Sequence, residues 1–426
     1  MSPKQKLLER AFKLSLNVLQ NVNFLELARL NISDFTRTRK MSFAALMVFL
    51  LSNPKAAAAL SLRRYFSKIG SETNMTQQSF SEARQKINPT AFEFLFEQVS
   101  QMLYKDKSSY KTYHGWRLLA IDGSTLALPA SRKLEASFGC SSGSGLTSPT
   151  ARISISYDVL NDVVLHGLID KYRTSERLMA YQHLEQHKPI SGITDLFMFD
   201  RGYPSRKLIN ALNAKKHLFL MRVSRKFNLN VDAADKSDSL VNIGNTESPM
   251  LIRVIKLVLP SGEQEVLLTN VYDLSLGVDD FRELYAKRWC IETQYDKLKN
   301  KLAIENVTGR TEIAIKQDFY ISLYLANMVA FATADANEAN VDVSGGDNNS
   351  ERKYFYQVRV NYAIGVFRDD FIKAILENSP RKQKKLVQKI IDDVRRATDP
   401  IRPNRSFPRK NHSRDAKFHH NFKPAT

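Results

Sequence analysis

Apolar residues in the first hundred positions recur at helical spacing. Leu7, Leu8, Ala11, Phe12, Leu14 and Leu16 give one amphipathic run. A basic cluster of Arg37, Arg39 and Lys40 opens a second, which turns apolar towards Leu51. Thr76 stands where an N-cap belongs, before the polar run Gln77–Lys86, and Pro89 closes that run. Residues 1–112 therefore read as a helical N-terminal region. A short helix exposing Gln, Ser, Arg and Lys suits a DNA groove, and it suits an ordinary solvated surface equally well.

The pattern changes near Trp116. Arg117 to Ile121 is a short apolar run entering Asp122-Gly123-Ser124, as a buried strand entering a turn does. Ala151–Tyr157 alternates with period two, and Val163–Ile169 reads as its hairpin partner across Asn161-Asp162. Thr174 or Ser175 caps a helix, and Leu196–Phe199 is a second buried strand running into Asp200-Arg201-Gly202-Tyr203-Pro204. A helix over 205–214 and a strand over 217–223 follow. This alternation predicts a mixed α/β sheet. Residues of about 225–275 interrupt it with two strand-like runs and read as a β-rich insertion. A long helix is expected from Val278 to about Lys301, and an apolar core helix over Asp318–Ala334. The expected division is a helical region at 1–112, an α/β core at 113–334, a polar linker and C-terminal helices at 335–398, and a basic tail at 399–426.

Charge narrows the choice of partner. The 426 residues carry 63 Lys and Arg against 44 acids, a net +19 and a pI near 9.7. Solubility does not need so strong a bias of one sign, and a polyanionic partner accounts for it. A membrane partner fits less well. The longest uninterrupted apolar run, Phe43–Leu51, falls far short of the roughly 20 residues a span needs. The Met-Ser-Pro-Lys-Gln-Lys start leads into an amphipathic pattern and not a signal-peptide core. Cys140 and Cys290 lack metal-binding spacing and fit a reducing cytoplasm. No phosphate-binding glycine loop and no metalloprotease histidine spacing occurs in the sequence.

The densest chemistry lies at 285–299. On a 3.6-residue helix Tyr285, Arg288, Glu292 and Lys299 fall within about 60° of one another. Leu284, Ile291, Tyr295, Leu298 and Leu302 form the adjoining apolar stripe, while Lys287, Gln294, Lys297 and Lys301 take the far, solvent-facing side. Taken alone, Arg288 and Glu292 are an i,i+4 ion pair. Taken alone, Asp122 and Asp200 are turn residues. Together, two strand-terminal aspartates and a helix glutamate make a hard-oxygen set that needs cations, such as Mg²⁺ or Mn²⁺. Two such ions can bracket a phosphodiester.

These motifs resemble those of the bacterial insertion-sequence transposases of the DDE class. Tyr285, Arg288, Glu292 and Lys299 match that family's Y-R-E-K signature, Asp122-Gly123-Ser124 its first acidic motif, and Asp200-Arg201-Gly202-Tyr203 its second. The stretch from Glu305-Asn306 to Gln317-Asp318-Phe319-Tyr320 is similar as well. The resemblance covers roughly 115–330. It implies a ribonuclease-H-like core with the β-rich insertion placed before the glutamate helix. It implies that Asp122, Asp200 and Glu292 bind two divalent ions, and that Tyr285, Arg288 and Lys299 hold DNA phosphates. It further implies an N-terminal region that helps read terminal inverted repeats, and two copies synapsed on double-stranded transposon ends in the bacterial cytoplasm, at the nucleoid. A nuclease of the same fold that cuts without joining and a non-catalytic DNA-binding derivative are the alternatives.

Overall fold

The computed structural model describes residues 6–400 apart from 38, 55, 73, 144–145, 246, 260–261 and 345–355. Most of the expected basic tail, 401–426, and part of the expected linker lie outside the described residues. In chain order, α1 (Leu7–Leu19), α2 (Val22–Ala28), α3 (Phe43–Leu51), α4 (Ala58–Lys68), α5 (Gln77–Arg84) and α6 (Pro89–Met102) lead into β1 (Trp116–Ala127). Then come α7 (Arg132–Phe138), β2 (Cys140–Gly143), β3 (Leu146–Asp158), β4 (Val163–Lys171), α8 (Glu176–Glu185), β5 (Thr194–Phe199), α9 (Arg206–Ala214) and β6 (Leu218–Val223). The insertion holds α10 (Leu229–Asp232), β7 (Asp238–Asn242), β8 (Leu251–Val258) and β9 (Gln264–Thr269). After it come α11 (Val278–Ala286), α12 (Cys290–Asp296), α13 (Glu312–Ser344), β10 (Tyr356–Val358), α14 (Val360–Leu376), α15 (Pro380–Arg396) and β11 (Thr398–Pro400).

Two compact units emerge. The first comprises Met1–Lys105, Leu126–Ala151 and Lys297–Thr426; the second comprises Asp106–Thr125 and Arg152–Asp296. In the first, α13 is the central helix, packed against α6, α15, α1, α14 and α3. It is long and apolar enough over Glu312–Asn337 to cross a membrane, but 89% of its apolar window is buried inside the protein, as befits a core helix. Sequence reading ended it at Ala334 with a linker from 335, yet it runs on to Ser344. Asp335, within that extension, has partners at the start of the chain. The N-cap position of α1, Lys6, supplies no side-chain cap, and the Asp335 carboxylate accepts from the N–H groups of Leu7 and Leu8 at 3.0 and 2.9 Å. Thr76 caps α5 as expected, accepting from Ser79 N–H at 3.2 Å. The other end of α5 is pinned by Arg84, buried and bonded to Gln317, Thr308, the Ala314 carbonyl and Asp318.

The second unit is built on a mixed sheet with strand order β3-β1-β5-β6-β9-β8-β7, with β4 paired on β3. β1, β5 and β6 are parallel, and β6–β9, β9–β8 and β8–β7 are antiparallel. The insertion strands thus extend the main sheet through β6–β9. Apolar β5 and β6 are buried on both faces. Phe197, Phe199, Phe219 and Met221 pack with Leu119, Ile121, Leu208 and Leu212 in one core. At the start of the parallel strands Arg117 grips Asp195 with two hydrogen bonds of 2.6 and 3.0 Å, and His187 adds a third of 2.7 Å. Ligand atoms of His187, Asp195 and His217 lie within 4.8 Å of one another. The Asp195 charge there is already met by Arg117, and its carboxyl pKa lies below the usual value because these hydrogen bonds outweigh burial.

Candidate active site

Asp122 and Asp200 lie just past the C-terminal end of the parallel β1–β5 ladder, the edge at which α/β sheets gather side chains into sites. Asp200 directly follows β5, as the sequence predicts. Asp122 differs from the expectation: β1 does not end there but continues to Ala127. Its pairing with β5 stops earlier, at Ala120↔Met198, so Asp122 still stands just beyond the shared ladder.

The helix expected over 278–301 is not uniform. A 3₁₀ turn at Lys287–Trp289 separates α11 from α12, and a π turn at Lys297–Lys301 follows α12. Each changes the residues per turn, so one helical wheel cannot run through the whole stretch. Gln294 and Lys297, placed by that wheel on the solvent side, are buried at 1% and 6% exposure. Tyr285, Arg288 and Glu292 remain together in the second unit. Lys299 lies in the π turn, within the first unit.

Arg288 is the centre of the arrangement. It is buried, and its guanidinium lies 5.5 Å from the Tyr285 ring and 5.2 Å from the Trp289 ring. Its Nη2 faces Glu292 Oε1 at 3.4 Å, with Arg288 at 4% and Glu292 at 40% side-chain exposure. The i,i+4 ion pair read from sequence is therefore present. Burial lowers the Arg288 pKa, but Tyr285, Asp200, Asp122 and Glu292 together outweigh it and raise it. All three acids thus act on one buried cation. Tyr285 donates to the Phe199 carbonyl at 3.3 Å, beside Asp200.

Burial raises the Asp122 carboxyl to about 6. The Gly123 N–H and Arg288 pull it down, and Glu176 and Asp200 push it up. That balance describes a carboxylate raised chiefly by burial, with like charges adding to it, and a divalent cation would offset it. The donor set is carboxylate oxygen throughout, the chemistry that Mg²⁺ or Mn²⁺ takes, although it is not one of the groups of three ligand atoms found within 4.8 Å of one another among the described residues.

Sequence reasoning gave no site role to three neighbours. Glu176 begins α8, pairs with Arg152 at 3.0 Å, and lies against Gly123, where a Cβ would come within 2.7 Å of its Cγ. Its only signal in sequence was the Ser175 cap, which marks a helix start and not a site. Tyr203 reaches Asp122 Oδ1 at 3.5 Å, a marginal contact. Glu265 on β9 is raised by burial, lowered by Arg222 and Arg288, and raised again by Asp200. Next to it Arg201, Arg222, Arg225, Lys226 and Lys256 line an open cleft of about 510 Å³.

A sheet edge with two aspartates, a helix glutamate and a buried arginine suits chemistry at phosphate. Residues 114–328 match the family model for the transposase DDE domain, and the chain belongs to that family. It is 25% identical over 181 residues to a protein of Escherichia coli (strain K12) named "Putative transposase InsZ". That alignment covers 41% of this chain and 56% of the relative, so the chain spans little more than half of the relative's length. Among solved structures, the piggyBac transposase synaptic complex with hairpin DNA is similar at a TM-score of 0.46 and 12% identity, covering 89% of this chain and 84% of that one.

Proposed function

We propose that this protein is a DNA transposase that cuts phosphodiester bonds at the terminal inverted repeats of an insertion sequence and joins the freed 3′-hydroxyls to target DNA. What supports the reading is the electrostatic convergence of Asp122, Asp200 and Glu292 on Arg288. In this reading the sheet of the second unit is a ribonuclease-H-like core and the three acids hold two Mg²⁺ or Mn²⁺ ions. Bound there, the ions would activate the attacking oxygen and stabilise the leaving one. Tyr285, Arg288 and Lys299 hold DNA phosphates near the cut, Arg288 with a planar fork and Lys299 as a point charge. Cutting and joining are both displacements at phosphorus, so one carboxylate site serves both.

The remaining assignments follow from the same reading. Residues 1–112 help read the DNA ends, with α5 as the groove candidate, and 113–334 form the catalytic domain. Two copies pair the two ends, and the protein works at the bacterial nucleoid. The test is incubation of a duplex carrying the inverted repeats that flank the gene with protein and Mg²⁺. Cleavage is expected with wild type and not with Asp122→Ala, Asp200→Ala or Glu292→Ala. Equal cleavage by Asp200→Ala would end the reading. Pre-cut ends separate transposase from nuclease, since only the former joins them to a second duplex. Binding should weaken with salt at a log–log slope of about −0.9 per phosphate contacted.

A further inference from the structure

The backbone carbonyl of Asp122 receives two hydroxyl hydrogen bonds, from Tyr295 at 2.7 Å and from Ser154 at 2.9 Å. A carbonyl oxygen has two lone pairs, so both are engaged. The donors come from different elements of the unit. Ser154 is on β3, and Tyr295 is on α12, one turn beyond Glu292 on the same helix face. The strand that carries the first acid is thereby tied to the helix that carries the third, at a point where β1 has left the β5 ladder.

The direction of the Ser154 bond is enforced by what lies behind it. Ser154 is fully buried, and its oxygen is also 2.9 Å from His183 Nε2. Its one hydrogen goes to Asp122, so it accepts from His183, which must carry its hydrogen on Nε2. His183 Nδ1 is then bare and lies 2.7 Å from His166 Nδ1. His166 must therefore carry its hydrogen on Nδ1. One proton order runs His166, His183, Ser154, Asp122 carbonyl, and its reversal would leave that carbonyl without the Ser154 donor. Burial, reinforced by His166, holds His183 neutral, as the scheme requires.

We infer that Ser154 and Tyr295 are positioning residues for metal binding by Asp122, with His183 and His166 fixing the Ser154 hydrogen. The clamp sets the backbone from which the Asp122 carboxylate projects and its spacing from Glu292. This rests on the proposal that Asp122 is a metal ligand.

Two measurements on the full-length protein test it. Nitrogen-15 spectra of the histidine rings are expected to show hydrogen on Nε2 of His183 and on Nδ1 of His166; the opposite tautomers overturn the inference. Mn²⁺ binding without DNA, followed by calorimetry on folded protein, is expected to weaken about 10-fold in Ser154→Ala and in Tyr295→Phe, as loss of supporting hydrogen bonds does at metal sites. Ser154→Thr, which keeps the hydroxyl, is expected to restore it. A purely structural role would lower the melting temperature while leaving the affinity of folded protein unchanged. Wild-type affinity in both variants, with Asp122→Ala defective, overturns the inference alone. Wild-type affinity in Asp122→Ala overturns the ligand assignment and the inference with it.

Discussion

Replacing Asp122 with asparagine should make the metal-free protein more stable while abolishing DNA cleavage. The Asp122 carboxyl is raised from its usual 3.8 to about 6, a balance that already nets the attraction of Arg288 and the Gly123 hydrogen bond against burial, Glu176 and Asp200. A shift of that size means that the ionised form costs about 3 kcal/mol in the folded state relative to the unfolded one. Sign follows from proton counting. Between about pH 4 and 6 the folded protein holds a proton on Asp122 that the unfolded chain has lost, so stability falls as pH rises through that window and the cost is complete above it. Asparagine keeps the shape and removes the charge. Urea unfolding in EDTA at pH 8 should therefore show Asp122→Asn about 2–3 kcal/mol more stable than wild type, the difference shrinking towards zero near pH 4.

The assay has a built-in reporter. The chain has two tryptophans, Trp116 and Trp289, and both lie in the second unit with Asp122. Fluorescence thus follows unfolding of the unit that holds the site. Adding Mg²⁺ at 100 times its dissociation constant should stabilise wild type by about 2.7 kcal/mol and leave Asp122→Asn unmoved. A variant no more stable than wild type at pH 8, or one whose stability difference is independent of pH, would refute the reasoning.

Three further outcomes follow from the packing. Gly123→Ala should cost about 1–3 kcal/mol, because its Cβ meets the Glu176 side chain, and most of that cost should vanish in a Glu176→Ala background; equal costs in both backgrounds would rule out the contact as the cause. Arg117→Ala should destabilise the second unit by about 3–5 kcal/mol in the tryptophan signal, since it leaves the buried Asp195 carboxylate with His187 alone; a loss under about 1 kcal/mol would show the pair to be incidental. Arg84→Ala should cost a similar amount, about 3–5 kcal/mol, in the first unit by far-UV circular dichroism, because four partners lose their buried donor; a surface-like effect would contradict its role in anchoring α5 to α13.

Local signals carried much of this fold into the sequence. Thr76 caps α5 as its hydroxyl suggests, Ser175 and not Thr174 caps α8, and the apolar runs before Asp200 and through Ile121 are buried strands. What did not carry was anything set by tertiary partners. Polar residues after Ala334 read as a linker because a sequence cannot show that Asp335 caps a helix over three hundred positions away. Residues Asp122-Gly123-Ser124 read as a turn because glycine after an acid favours one, whereas here glycine makes room for Glu176 inside a continuing strand.

The glutamate helix shows why the candidate site was legible while its surroundings were not. Spacings of three and four residues survive a short 3₁₀ turn, so Tyr285, Arg288 and Glu292 keep a common side. One wheel does not hold across both irregular turns: Gln294, after the 3₁₀ turn, and Lys297, at the start of the π turn, are buried where a uniform helix exposes them. The aspartates announced themselves by ending apolar runs, but the groups that orient Asp122 did not. Ser154 falls on the polar side of an alternating strand and Tyr295 in the apolar stripe of the glutamate helix, and only the three-dimensional structure brings their hydroxyls to one carbonyl. In the proposed reading the Asp122 carboxylate meets a cation, and its backbone is held from behind by one residue that the strand pattern marks as polar surface and one that the helix pattern marks as core.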